Sequence, residues 1–227
     1  MKIKAMILAA GHGSRLKPIT NTIPKPLIKI GEETILERHL RNLQKAGITD
    51  VVINVSYLAE KIMDAIGDGS RYRLNIDYSH EKEGALETLG GILNALNHFK
   101  KNKYLLLINA DIYCNFNFLN IGLPGKNHKA HLVLVPNKNA ENPAGDFGIT
   151  KNVININANK RYTYSGISSL NLESLRKLNV DYNQLGRLYR EWATRGLLTG
   201  EIYNGLWIDI GTPQRLTQAK ELIKEKP

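Results

Sequence analysis

The chain has 227 residues, 42% of them hydrophobic and 23% charged, with a formal net charge of +10. That length and balance fit one globular domain spanning residues 1–227 and exclude a disordered or fibrous chain. No apolar run is long enough to span a bilayer, the single cysteine excludes an internal disulfide, and Lys and Arg are spread along the chain instead of gathered in a basic block of the kind that binds nucleic acid.

Ile3 to Ala9 is an apolar run of strand length that breaks at Gly11 and Gly13. Met1-Lys2 leads directly into it with no signal-peptide layout, so a cytoplasmic setting is expected. Ser14, Arg15 and Lys17 follow at once, and hydroxyl, guanidinium and ammonium groups beside free backbone N–H groups suit an anion with several phosphate oxygens. Leu16 stands where a dinucleotide fingerprint needs its last glycine, and no Gly-Lys-Ser/Thr closes a Walker A loop. Pro18, Pro24 and Pro26 resist a helix, so the loop is expected to stay extended, with Lys25 held between two prolines of fixed φ.

Helical spacing of Ile35, Leu36, His39, Leu40 and Leu43 predicts a helix from Thr34 to Ala46, stopped by Gly47, with His39 a structural residue. Strands are predicted at 51–55, 74–78 and 104–108, and helices at 58–66 and 88–99. This alternation implies an α/β fold, a mostly parallel sheet with helices on both faces. Cys114 is expected to be a small buried apolar residue. Beyond it come a strand at 130–135, a polar loop from Pro136 to Asp146, and short strands at 147–150, 153–155 and 162–169 that read as a meander. A helix at 183–195, a short strand at 206–208 and a last helix capped by Thr212 and opened by Pro213 complete the chain.

Two carboxylates stand just beyond apolar strands, Asp111 after Leu107-Ile108-Asn109-Ala110 and Asp209 after Leu206-Trp207-Ile208. Ligands of open α/β sheets gather at such strand ends, and a pair of carboxylates facing a polyphosphate can share a hard cation such as Mg²⁺.

The stretch L-A-A-G-x-G-S-R-L…P-K-P-L-I resembles the nucleotide-binding signature of the sugar-1-phosphate nucleotidylyltransferases, and W-x-D-I-G-T at 207–212 extends the likeness. The resemblance implies a Rossmann-like three-layer αβα fold with a mostly parallel mixed sheet. It also implies Mg²⁺-dependent transfer of a nucleotidyl group from a nucleoside triphosphate to a sugar 1-phosphate, with no nucleic-acid or membrane partner. By the same likeness Asp111 and Asp209 hold the metal, and Arg15 and Lys25 are catalytic. Ala10, Gly11, Gly13, Ser14, Glu87, Thr88 and Gly90 join Arg15 and Lys25 in binding the nucleotide, while Asn109, Asp146, Ser165 and Gly166 face the sugar. Leu89 departs from the E-T-G-G-G pattern of relatives beside the base. Through D-G-S-R-Y, L-E-T-x-G-G, G-D-F and S-G-I the chain is most similar to the short N-acetylmuramate α-1-phosphate uridylyltransferases of cell-wall recycling, which makes UTP the expected donor. Enzymes of mannose, glucose or phosphocholine acceptors, and a non-catalytic nucleotide-sugar sensor, are the alternatives. A further C-terminal β-helix or acetyltransferase domain is not expected, since the chain ends soon after Asp209.

Overall fold

A computed structural model describes residues 3–81, 86–138 and 142–224. Its elements in order are β1 (Ile3–Leu8), β2 (Lys29–Ile30), β3 (Glu33–Thr34), α1 (Ile35–Lys45), β4 (Asp50–Val55), α2 (Ala59–Ile66) and β5 (Asn75–His80). Then come α3 (Glu87–Asn94), β6 (Tyr104–Asn109), β7 (Ile112–Cys114), β8 (Ala130–Val135), β9 (Gly148–Thr150), β10 (Val153–Asn155) and β11 (Thr163–Asn171). The last are α4 (Leu172–Arg176), α5 (Leu185–Thr194), β12 (Leu198–Ile202), β13 (Trp207–Asp209) and α6 (Pro213–Lys224).

One nine-stranded sheet organises them, in the order β5-β4-β1-β6-β11-β8-β12-β10-β9. β5, β4, β1 and β6 are parallel neighbours, as are β8 and β12, while β11 and β10 run against the rest. The sheet is therefore mixed and mostly parallel, as expected. Its central strands are covered on both faces, which is why they read as unbroken apolar runs. Ala5, Ile7, Val51, Ile53, Leu106 and Ile108 pack under α1 and α2, whereas Met6, Val52, Leu105 and Leu107 pack under α3 and α5. Three layers result.

Local chemistry sets the helix ends. Thr34 Oγ1 accepts from Glu37 N at 3.1 Å and Glu37 Oε2 accepts from Thr34 N at 2.9 Å, a reciprocal cap that starts α1. Thr212 Oγ1 accepts from Arg215 N at 3.4 Å, with Pro213 opening α6. The expected helix at 88–99 is a helix only to Asn94 and tightens into a 3₁₀ turn at Ala95–Phe99. His39 and Cys114 are both fully buried; burial pushes the imidazole down to about 4 and the thiol up to about 11, so both are neutral core residues.

Three expectations need correction. The loop after Gly13 is not extended but folds into three short 3₁₀ turns, Ser14–Leu16, Ile19–Asn21 and Lys25–Leu27. Leu16 causes the first: its side chain is buried against Ile28, Ile35, Ile208 and Ile210, pulling the chain inward. The strand at 162–169 is no meander segment but β11, nine residues long and lodged in the sheet between β6 and β8. Of the expected meander strands, β9 and β10 pair as a hairpin at the sheet edge. Finally, no strand is expected from Leu198-Thr199-Gly200-Glu201-Ile202, yet these residues form β12, parallel to β8.

Candidate active site

The site grows from the sheet's register. Leu8 of β1 pairs with Asn109 of β6, so the glycine loop and Asp111 leave neighbouring parallel strands side by side. β4 and β5 end at the same edge and deliver Asn54 and Glu81. Between these four chain ends lies a cavity of about 380 Å³, lined among others by Ala10, Gly11, Gly13, Lys25, Glu87, Thr88 and Asp111.

A buried polar relay holds its walls. Ala9 N donates to Asn54 Oδ1 at 2.7 Å, Asn54 Nδ2 to Glu81 Oε1 at 2.6 Å, and Leu86 N to Glu81 Oε2 at 2.8 Å. Glu81 and Asn54 are 5% and 3% exposed, so this buried carboxylate is held by hydrogen bonds that tie the glycine loop to the start of α3. Gly91 makes room for it: a Cβ there would overlap Glu81 Oε1 and come within 2.9 Å of Asn54 Nδ2. Gly91→Ala is expected to lower stability by ~1–3 kcal/mol through overpacking. Urea unfolding checks this, and an unchanged midpoint would mean that Glu81 moves aside freely.

The loop itself is braced from below. Gly13 adopts φ +63, and a Cβ there would sit 2.9 Å from Thr20 Cγ2 and 3.3 Å from Lys25 Cβ. Thr20 Oγ1 donates to Gly13 O at 2.9 Å. Lys25 thereby stands against the glycine turn, and its Nζ reaches Asp111 Oδ2 at 2.6 Å with the lysine side chain 12% exposed.

A second cavity, of about 850 Å³, meets the first at Asn109 and Asp111. β13 pairs antiparallel with β7, placing Asp209 opposite Ile112, and Ile210 N donates to Asp111 O at 2.8 Å. The two acids are thus held by adjacent backbones. Burial, then the negative charge of Asp111, raises the Asp209 pKa above its usual range, against the pull of Lys25, Arg215 and Arg15. Arg215 Nη1 pairs with Asp209 Oδ2 at 2.6 Å. Two repelling carboxylates, each held by a cation and open to a cavity, fit a hard divalent ion that would complete its shell with phosphate oxygens and water. No group of three or more His, Cys, Asp or Glu that could hold a metal occurs among the described residues.

Comparison with known proteins decides what this frame is. The Nucleotidyl transferase family model matches residues 4–161. An N-acetylmuramate alpha-1-phosphate uridylyltransferase from Neisseria meningitidis is 37% identical over 97% of this chain and 98% of its own. The chain belongs to the nucleotidyl transferase family. It is 28% identical to a mannose-1-phosphate guanyltransferase of Saccharomyces cerevisiae, covering 93% of this chain and 62% of that enzyme. A solved candidate glucose-1-phosphate thymidylyltransferase from Bacillus anthracis shares the fold, with a TM-score of 0.83 at 20% identity over 100% of this chain and 97% of that one.

Most of the residues expected to act in this nucleotidyl transferase lie at the two cavities. Asn109, Ser165 and Gly166 line the larger one with Arg15 and Asp209. Gly166, at φ +81, sits in a bulge of β11 packed on Asn109, where a Cβ would come within 2.9 Å of the amide. Trp207 Nε1 donates to Ser165 O at 2.8 Å and fixes that bulge to β13.

Three expected contacts are placed elsewhere. Asp146 lines neither cavity; its carboxylate accepts from Tyr164 N and Asn142 Nδ2, each at 2.9 Å, and braces the loop behind the bulge. Gly90 is buried against Asn183 and Leu86, and exposed Ser14 lies a step past the lining. Leu89, the odd residue of its motif, points into the core at 0% exposure. Residues 82–85 and 139–141, within the expected base-side segment and the Pro136–Asp146 loop, lie outside the described residues. Asn54, Glu81, Arg215 and Lys138 all line the site without having been expected there. For Arg215 a signal was present, a cation one turn into the helix opened by Thr212-Pro213.

No helix among the described residues is long and apolar enough to cross a membrane.

Proposed function

We propose that this enzyme joins a nucleoside triphosphate, UTP, to a sugar 1-phosphate, N-acetylmuramic acid 1-phosphate, giving a nucleotide sugar and pyrophosphate. One observation carries the reading: a glycine-loop cavity and a larger polar cavity meet at Asn109 and Asp111, so two substrates can touch at the acids. The near full-length similarity to the meningococcal enzyme favours this donor and acceptor.

The acceptor phosphate oxygen attacks the α-phosphorus, and the bond to the β-phosphate oxygen breaks in line. No protein nucleophile is needed, and the buried neutral Cys114 supplies none. Catalysis is then positioning and charge stabilisation. Lys25, 2.6 Å from Asp111, balances charge on the transferred phosphoryl group, and Arg15 balances it from the larger cavity. Mg²⁺, held by Asp111 and Asp209, would supply further neutralisation of the phosphates. Gly11 and Gly13 let the triphosphate approach the backbone, and Glu87 and Thr88 border the base side. A reaction fed by nucleoside triphosphates fits the cytoplasm and a role in reusing cell-wall sugars.

A pyrophosphate-release screen of UTP, dTTP, CTP and GTP against phosphocholine and the 1-phosphates of N-acetylmuramic acid, N-acetylglucosamine, glucose and mannose tests it. UTP with N-acetylmuramic acid 1-phosphate is expected to be best. dTTP should be a detectable second, because a methyl group is worth only ~1–3 kcal/mol in a pocket. A higher kcat/KM for GTP with mannose 1-phosphate, or for CTP with phosphocholine, would overturn the choice of substrates.

A further inference from the structure

Among the described residues, three cations line the larger cavity, and they are not grouped. Arg215 is paired with Asp209, and Arg15 is close enough to lower that acid's pKa; a Cβ on Gly211 would be 3.1 Å from both Arg15 Nη2 and Asp209 Oδ1. Both arginines therefore belong to the end where the acids and the reacting phosphates meet. Lys138 lines another wall, which β8 and β11 form through Val135, Thr163 and Tyr164.

Its stem is fixed. Asn137 Nδ2 donates to Asn142 O at 2.9 Å and Pro143 O at 3.1 Å, and Thr163 Oγ1 donates to Asn137 Oδ1 at 2.9 Å. Asp146 adds its hydrogen bond to Tyr164 N on the next strand position. Lys138 itself is exposed and has no carboxylate partner among the described residues. Among the described residues, the carboxylates that line the cavity are Asp111 and Asp209, both at the phosphate end. An ammonium on a braced lip, with no acid beside it among the described residues, is complementary to a negative group on the acceptor away from its phosphate.

We propose that Lys138 is the specificity-determining residue for an anionic substituent of the sugar, binding its carboxylate by a charge-assisted hydrogen bond. This rests on the acceptor assignment above and names the group that reads it: the lactyl carboxylate is what distinguishes N-acetylmuramic acid 1-phosphate from N-acetylglucosamine 1-phosphate.

The experiment measures kcat and KM with UTP for both of these acceptors, in the wild type and in Lys138→Met and Lys138→Glu. Lys138→Met should lower kcat/KM for the muramic acceptor about tenfold, the scale of one hydrogen bond to a charged group, and mainly through KM. The glucosamine acceptor should be little affected, so the preference between acceptors collapses. Lys138→Glu should penalise the muramic acceptor further, while melting temperatures stay level because the side chain is exposed. Equal losses on both acceptors, or an unchanged ratio, would overturn the role of Lys138 while leaving the acceptor assignment intact. A wild type that uses neither acceptor overturns both.

Discussion

Asp111→Asn and Asp209→Asn are each expected to cut turnover roughly a thousandfold at saturating Mg²⁺, the effect of losing about 4 kcal/mol of charge stabilisation at the reacting phosphates. Each substitution keeps the side chain's shape and removes one negative charge from a pair held side by side by β7 and β13. Stability should respond differently at the two positions. Asp111 pairs directly with Lys25, whose side chain is 12% exposed, so Asp111→Asn leaves a largely buried ammonium with only the field of Asp209 and should lower the melting temperature. Asp209 has the opposite balance. A carboxyl whose folded pKa is raised binds protons more readily folded than unfolded, so its ionisation costs stability as pH rises through that raised pKa. Asp209→Asn should therefore leave the metal-free protein as stable as the wild type at neutral pH, or more so. Mn²⁺ titration followed by electron paramagnetic resonance reads the site without turnover, and both variants should bind the ion more weakly. Near wild-type turnover, with unchanged Mn²⁺ affinity, would remove that residue from the metal site.

The half of the molecule that holds the glycine loop was legible because of how its strands are buried. β1, β4 and β6 are covered on both faces and so appear as plain apolar runs, and a ligand edge follows from their shared direction. The same rule failed at β11. Ser165, Ser168 and Ser169 are fully buried there, and two of them are satisfied by partners distant in sequence: Ser168 Oγ lies 2.7 Å from Tyr189 Oη and Ser169 Oγ donates to Gly122 O at 2.6 Å. Polar residues paired in the interior look, in one dimension, like loop residues. The relay through Asn54 and Glu81 was hidden for the same reason, since each partner's hydrogen bonds lie far away in sequence. Gly11 and Gly13, expected from their motif to let a ligand approach the backbone, line the smaller cavity. Asp146, by contrast, matched a motif on the sugar side yet is occupied by loop hydrogen bonds, because a short motif records sequence neighbours and not what a carboxylate faces.

Lys25→Met is expected to lower kcat by roughly a hundredfold to a thousandfold, the range for loss of one group that stabilises charge developing in the transition state. Two features point to Lys25. Its backbone is held by Pro24 and Pro26 and begins a short 3₁₀ turn, with Leu27 N donating to Pro24 O at 2.8 Å. Its Cβ stands beside Gly13, so the ammonium is aimed across the mouth of the loop at Asp111 instead of outward into water. Methionine keeps the length and apolar stem of lysine, so packing against Gly13 should survive and the melting temperature should change by only a few degrees. Loss of the counter-charge leaves Asp111 accepting from no ammonium, which should strengthen divalent-ion binding in the absence of nucleotide even as turnover falls. That combination, tighter Mn²⁺ and slower chemistry, separates a phosphate-stabilising lysine from a structural one. If Lys25→Met unfolds in proportion to its lost activity, and the fraction still folded turns over at the wild-type rate, Lys25 is a brace for Asp111 and the transition-state charge is balanced by Arg15 instead.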